Sequence, residues 1–201
     1  MASRKAQNDA ATRFKSLYSH GFVRVAACAP VVAPAADPFR YTGAIYEKGG
    51  WVLHMLRRVV GDETFFAALR EYRRRHERGS ATRAGLRAVF EELSGRDLKQ
   101  FFDQWVETPY RPVLRATYRT LADGRVEVVL RQAQGHAVTH PEAASGDTRH
   151  YRFPLAVRLF SSVASTTTTV EVTEATQTFL LPAPGGAPAT GLVLDPAGDL
   201  L

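Results

Sequence analysis

The chain has 201 residues, of which 45% are hydrophobic and 23% are charged, and its formal net charge is +6. This balance excludes global disorder, and the single cysteine, Cys28, excludes an internal disulfide framework. No apolar run reaches the ~18 residues that a membrane-spanning helix needs, and the N-terminus lacks the apolar core of a signal peptide. The composition therefore predicts a soluble protein with no membrane partner, and it indicates no particular compartment.

The positive charge is almost entirely arginine, and its densest cluster comprises Arg70, Arg73, Arg74, Arg75 and Arg78. A nucleic-acid-binding face would combine a stripe of cations with stacking or base-contacting groups. Here Glu71 and Glu77 lie within one helical turn of the arginines, a spacing that favours local ion pairs. We therefore predict a solvated helix face and no nucleic-acid partner.

Residues 1–40 predict an N-terminal helix followed by an extended connector. The first part is polar with few apolar anchors, and the stretch from Phe22 to Pro38 is rich in Val, Ala and Pro. Proline fixes the backbone and removes a hydrogen-bond donor, which disfavours a repeating element in this stretch.

Residues 41–111 show four helical patterns, each with apolar residues three and four positions apart. The first ends at Gly61, and Asp62 is placed to cap the second. The second ends at Gly79, the third runs from Thr82 to Gly95, and the fourth begins near Asp97. Short connections containing glycine predict a compact helical subdomain.

Residues 112–201 change to a period of two, which is typical of strands with one buried face. An Asp123-Gly124 hairpin turn precedes the first clear alternation. The predicted strands are Val126 to Arg131, Phe153 to Leu159, Thr166 to Val172, Thr178 to Leu181 and Gly191 to Leu194. The fold class is therefore α+β, a helical subdomain followed by a small antiparallel β-sandwich.

The helical segment resembles the M1 family of zinc aminopeptidases. Its first helix opens with Tyr46-Glu47-Lys48-Gly49-Gly50, which is similar to the family's Tyr-x-Lys-Gly pattern. Further similar segments follow in the family's order: Gly61-Asp62-Glu63-Thr64-Phe65, Ser94-Gly95-Arg96-Asp97-Leu98, Phe101-Phe102-Asp103-Gln104-Trp105, and Val193-Leu194-Asp195-Pro196. The resemblance covers about Tyr41 to Leu201, the C-terminal part of the catalytic domain and the β-sandwich that follows it.

The resemblance implies that Tyr46 is a catalytic residue. In the family, the corresponding phenol donates a hydrogen bond to the oxyanion that forms when zinc-bound water attacks a peptide carbonyl. A fixed donor of this kind supplies roughly 3–4 kcal/mol of transition-state stabilisation. Tyr41 is a second candidate, because some members carry another tyrosine near the site. The alternative is that Tyr46 is an interfacial aromatic whose ring packs while its hydroxyl contacts water.

The family implies zinc for the full-length enzyme, but this chain contains no His-Glu-x-x-His motif to supply the ligands. His136 and His140 have the spacing of a zinc pair. However, Gly135 and Pro141 flank them, and a general-base glutamate is missing between them. We interpret them as a chance pair and predict no metal site or other cofactor in this chain.

Two hypotheses follow. The first is a segment of an aminopeptidase that is inactive alone, whose partners are a peptide substrate and an upstream zinc-bearing segment. The second is a non-catalytic peptide- or protein-interaction module derived from the same fold. Lys48 is expected to cap the helix or to pair with a carboxylate, such as Glu47 or one on a domain outside this chain.

Overall fold

A computed structural model describes residues 44–108, 112–133 and 150–200. These residues form two compact units, one within 44–108 and one within 112–200. The predicted N-terminal helix and connector, Tyr41, and the pair His136 and His140 lie outside the described residues. The domain boundaries proposed from the sequence stay predictions.

The first unit is helical. It begins with a five-residue π-helix, Ala44–Lys48, called the first π-turn. The α-helices that follow are α1 (Gly49–Val60), α2 (Asp62–His76), α3 (Arg83–Ser94) and α4 (Lys99–Phe102). A second π-turn, Asp103–Glu107, continues directly from α4, so the fourth predicted helix is an α-helical turn followed by a π-helical one.

Local capping residues end and begin most of these helices, as predicted. The Gly61 N–H donates to the Arg57 carbonyl at 2.9 Å and closes α1. The Thr82 hydroxyl accepts from the Gly85 N–H and begins α3. The prediction for Asp62 was wrong: it is the first residue of α2, its side chain caps nothing, and Gly61 holds the cap position.

The helical core contains Trp51, Val52, Met55 and Leu56 of α1, Phe65 and Ala68 of α2, Val89 and Phe90 of α3, and Leu98, Phe101, Phe102, Trp105 and Val106 around α4 and the second π-turn. Three apolar residues that belong to the predicted helical patterns are exposed instead: Leu53, Phe66 and Leu93. The Arg57 guanidinium lies 5.0 Å from the centre of the Phe66 ring, a cation–π contact that a half-exposed aromatic can make.

The described residues of the second unit, 112–133 and 150–200, form two three-stranded antiparallel sheets. The strands are β1 (Leu114–Thr120), β2 (Arg125–Gln132), β3 (Phe153–Phe160), β4 (Ser165–Val172), β5 (Thr176–Pro182) and β6 (Gly191–Leu194). One sheet has the order β1-β2-β5 and the other β4-β3-β6. Alternate residues of the central strands β2 and β3 are buried, which produces the small β-sandwich that the period of two predicted.

The side chain of Gln132 at the end of β2 is buried and forms hydrogen bonds with two neighbouring segments, at Tyr151 and at Glu174. Its Oε1 accepts from the Tyr151 N–H at 2.8 Å, and its Nε2 donates to the Tyr151 carbonyl at 2.8 Å and the Glu174 carbonyl at 3.1 Å. The amide thus replaces a short piece of strand pairing, which satisfies buried backbone groups. We call this arrangement the Gln132 clasp.

Among residues 44–108, 112–133 and 150–200, no helix has both the length and the apolar character that crossing a bilayer requires.

Candidate functional site

Tyr46 lies on the first π-turn, immediately before α1, and its side chain is 74% exposed. A ring sealed within the helical core would contradict a role in binding substrate, and the structure does not place it there. Short π-helical turns are rare and often occur at functional sites. Tyr46 is therefore available to a ligand, and its catalytic role stays a prediction.

Lys48 lies two residues after Tyr46 on the same turn, yet its side chain is only 1% exposed. Its Nζ donates a hydrogen bond to the backbone carbonyl of Thr108 at 2.8 Å, a contact between residues 60 positions apart. An ammonium removed from water needs such partners, because burying it without hydrogen bonds is costly. The side chain of Lys48 on this turn is therefore buried in the protein, while that of Tyr46 is exposed to solvent.

The sequence did not predict the contact between Lys48 and Thr108. The Lys-Gly pair of the motif draws attention to Lys48. A single sequence, however, does not indicate that the lysine binds a backbone carbonyl so far away along the chain. Thr108 directly follows the second π-turn, and its hydroxyl donates to the Asp103 carbonyl at 2.8 Å. Glu107 of the same turn forms an ion pair with Arg83 at the start of α3, at 2.7 Å.

Two features beside Tyr46 shape the surface around it. Gly50 is exposed, and a Cβ built at this position meets no atom within 4 Å. The start of α1 is therefore open at Gly50. The Oε2 atom of Glu47 is buried and has no hydrogen-bond partner among the described residues. The carboxylate that neighbours Tyr46 is thus only partly satisfied within this part of the chain.

The arginine-rich face of α2 forms ion pairs, as expected. Glu71 accepts hydrogen bonds from both Arg74 and Arg75, at 2.7–2.8 Å. The hydrogen bond from Arg74, followed by that from Arg75, lowers the pKa of the Glu71 carboxyl from its ordinary value of 4.5 to about 2. Pairing of this kind favours a solvated face; the absence of a nucleic-acid partner stays a prediction.

A catalytic zinc ion needs three protein ligands, which are usually His, Cys, Asp or Glu. Within the described ranges, no three such side chains come together. The donors nearest to Tyr46 in sequence are Glu47 and His54, and the His54 ring packs against Trp51 with 5.4 Å between ring centres. These residues do not make a zinc site, so we assign no catalytic step to a metal that they would hold.

Comparison with known proteins matches the helical unit to one family. Residues 30–105 match the model of the peptidase family M1 domain. We call residues 30–105, which are similar to part of an M1 peptidase domain, the M1 segment. The matched segment includes Tyr46, Lys48 and most of the second π-turn, so the family resemblance predicted from the sequence is confirmed.

The chain is also similar to proteins named Aminopeptidase N. The chain is 34% identical over 122 residues to Aminopeptidase N of Streptomyces lividans, covering 59% of the chain and 14% of that protein. It is 39% identical over 72 residues to Aminopeptidase N of Lactococcus lactis subsp. lactis, covering 36% of the chain and 8% of that protein. The chain thus spans a small fraction of the length of these relatives.

A solved structure supports the α+β fold. The chain superposes on the crystal structure of Legionella pneumophila aminopeptidase A in complex with aspartic acid with a TM-score of 0.59. The superposition covers 78% of this chain and 17% of the other, at 20% identity. At that identity the likeness concerns the fold alone.

Proposed function

We propose that the M1 segment supplies the transition-state tyrosine of an aminopeptidase that removes N-terminal residues from peptides. The observation that carries this proposal is the position of Tyr46. It is exposed at the start of a helix, inside the segment that matches the M1 domain. Peptides are the proposed substrate because the relatives are named as aminopeptidases.

The proposed chemistry requires only a hydrogen-bond donor from Tyr46. When water adds to a peptide carbonyl, the carbonyl oxygen gains negative charge, and the phenol O–H donates to it. The amine of the scissile bond then leaves with a proton as the carbonyl re-forms. A donor held in place before the reaction stabilises the charged transition state more than the neutral substrate, and this difference accelerates the chemical step.

We further propose that this chain does not hydrolyse peptides by itself. The support is the sequence, which contains no His-Glu-x-x-His motif. Zinc ligands and a general base would then come from a segment outside these 201 residues. Purified chain incubated with zinc is expected to leave an aminoacyl-arylamide intact. Turnover by the chain alone, with one equivalent of bound zinc, would contradict this part of the proposal.

A chimera tests the role of Tyr46 directly. Residues 30–108, which contain the matched segment 30–105 and extend to Thr108, would replace the aligned segment of the Streptomyces lividans Aminopeptidase N, and arylamide hydrolysis would be measured. In an active chimera, Tyr46→Phe is expected to lower kcat about 10²–10³-fold, the usual cost of removing one oxyanion donor.

Tyr72→Phe in the same chimera is the matched control. Tyr72 also carries a phenol, but its hydroxyl donates to the Thr82 carbonyl at 2.9 Å within the helical unit. Its substitution is expected to leave kcat close to that of the parent chimera. Equal kcat values for Tyr46→Phe and Tyr72→Phe would reject the catalytic role and favour the alternative, a non-catalytic interaction module.

A further inference from the structure

We infer that Lys48 is a positioning residue, whose buried ammonium fixes the π-helical turn that presents Tyr46. The catalytic consequence of this inference depends on the proposed function, but the structural claim does not. It begins from the contrast between the two side chains of one turn, since Tyr46 is 74% exposed and Lys48 is 1% exposed.

The ammonium is bound at a site suited to a cation. Its acceptor is the carbonyl of Thr108, the residue that follows the helical run of α4 and the second π-turn. Carbonyls at the C-terminal end of a helix lack intrahelical donors and carry partial negative charge. A charged donor therefore forms a stronger bond here than a neutral one.

The contact joins the first π-turn to Thr108, the residue that follows the second π-turn, across 60 residues. Residues of α1 also contact the second π-turn, so Lys48 adds an anchor where the two elements already approach. The Thr108 end is itself held by its own hydroxyl, which donates to Asp103, and by the ion pair between Glu107 and Arg83.

Such an anchor matters because a hydrogen-bond donor must be correctly placed to act in a transition state. A displacement of about 1 Å at a catalytic group can cost a hundredfold in rate. Only one residue separates Tyr46 from Lys48, so a change at Lys48 moves the backbone that carries the phenol. The lysine thus acts through Tyr46 and has no need to contact substrate.

The test uses the full chain and compares Lys48→Met with Lys99→Met. Both substitutions remove an ammonium and leave an unbranched apolar side chain. Lys99 is exposed and pairs with Asp103 on the helical run that ends at Thr108, so it is a matched control. The measurements are amide hydrogen exchange of residues 46–52 and the NMR signals of labelled tyrosine rings, assigned with Tyr46→Phe and Tyr72→Phe.

Lys48→Met is expected to accelerate amide exchange over residues 46–52 about tenfold or more, because a hydrogen bond from a charged donor is lost. It should shift the ring signal of Tyr46 and leave that of Tyr72 unchanged. Lys99→Met should change neither, since exposed ion pairs contribute little. The inference is overturned if Lys48→Met behaves like Lys99→Met, or if Tyr46 and Tyr72 change together.

A chemical rescue keeps the test decisive if Lys48→Met fails to fold. Lys48→Cys in a Cys28→Ser background, alkylated with 2-bromoethylamine while unfolded, restores an ammonium on a side chain of nearly the same length. Refolded alkylated protein should recover the slow exchange and the Tyr46 signal of the parent. Recovery without alkylation, or no recovery with it, would show that the ammonium is not what fixes the turn.

A double-mutant cycle in the aminopeptidase chimera separates this inference from the proposed function. Lys48→Met should lower kcat with little change in KM, and it should have almost no further effect when Tyr46 is already Phe. An equal loss of kcat in both backgrounds would contradict action through Tyr46. If Tyr46→Phe leaves kcat unchanged, the proposed function fails, while the exchange measurement still decides the role of Lys48.

Discussion

The guanidinium of Arg75 on α2 forms two hydrogen bonds with the carboxylate of Glu92 on α3, from Nη1 to Oε2 at 2.8 Å and from Nη2 to Oε1 at 2.9 Å. The Nε of Arg75 also donates to Glu71 of its own helix at 2.7 Å. One arginine therefore connects two helices and two carboxylates. This planar, two-pronged geometry is specific to arginine and would not survive replacement by lysine.

The first prediction concerns acid unfolding of the helical unit. The pKa of Glu71 is lowered to about 2, and Arg75 likewise lowers the pKa of Glu92. Because the folded state keeps these carboxylates charged, their stabilisation is present above about pH 4.5 and is lost as the pH falls toward 2. Arg75→Gln should move the acid-unfolding midpoint, followed by circular dichroism at 222 nm, to higher pH. Arg73→Gln, an exposed change on the same helix, is the control, and equal midpoints would contradict the prediction.

The second prediction compares two glycines at the ends of α1. Gly61 has φ 84° and ψ 159°, a conformation that nearly excludes other residues, whereas Gly50 is helical, and neither has an atom within 4 Å of a built Cβ. Gly61→Ala should lower the free energy of unfolding by about 1–3 kcal/mol through backbone strain. Gly50→Ala should raise it by about 0.5–1 kcal/mol. Urea unfolding measures both changes, and a loss of stability in Gly50→Ala would show that the space around it is filled.

The third prediction concerns the Gln132 clasp. Gln132→Met keeps a similar side-chain length but leaves the Tyr151 N–H and carbonyl without their amide partner. The free energy of unfolding of the second unit should fall by about 1–3 kcal/mol. Urea unfolding, followed through NMR signals of β2 and β3, measures this change.

Gln100→Met is the control for the clasp. The Gln100 amide is exposed and donates to Gln104 on the helix surface, so the change should stay within about 0.5 kcal/mol. Equal effects of the two substitutions would mean that the clasp contributes no more than a surface hydrogen bond.

The fourth prediction concerns His136 and His140, which lie outside the described residues. Two histidines fall short of the ligands that zinc requires, and the flanking Gly135 and Pro141 disfavour a helix that would align them. Substituting both with alanine should leave the zinc content of dialysed protein unchanged. One equivalent of zinc in the parent and none in the double variant would refute the interpretation as a chance pair.

Much of the fold could be predicted because its signals are local. Gly61 and Gly95 end their helices, Thr82 begins one, and Gly124 forms the predicted hairpin turn. The strands with a buried face were found from their alternation. Strand β1 was not predicted. A period of two arises when one face of a strand is buried, whereas the residues of β1 are partly or fully exposed.

The site was harder to predict, because its geometry depends on contacts between distant residues. The sequence indicated Tyr46 and the start of a helix there, but it did not indicate that the turn is π-helical. Asp62 shows the same limit: an aspartate beside a glycine suggests a cap, yet its carboxylate bonds to Arg57, at 2.8 and 2.6 Å. The position of an aspartate in the sequence does not show whether its carboxylate will cap a helix or form an ion pair.

The Gln132 clasp also has a practical consequence for protein engineering. The side-chain amide of Gln132 forms hydrogen bonds with the backbone of Tyr151. Both ends of the stretch between these residues are therefore already bound to the second unit. Lengthening a tethered stretch adds only about 0.6 kcal/mol of closure entropy for each doubling. A reporter or affinity tag inserted between these two anchor points should therefore leave the sandwich intact.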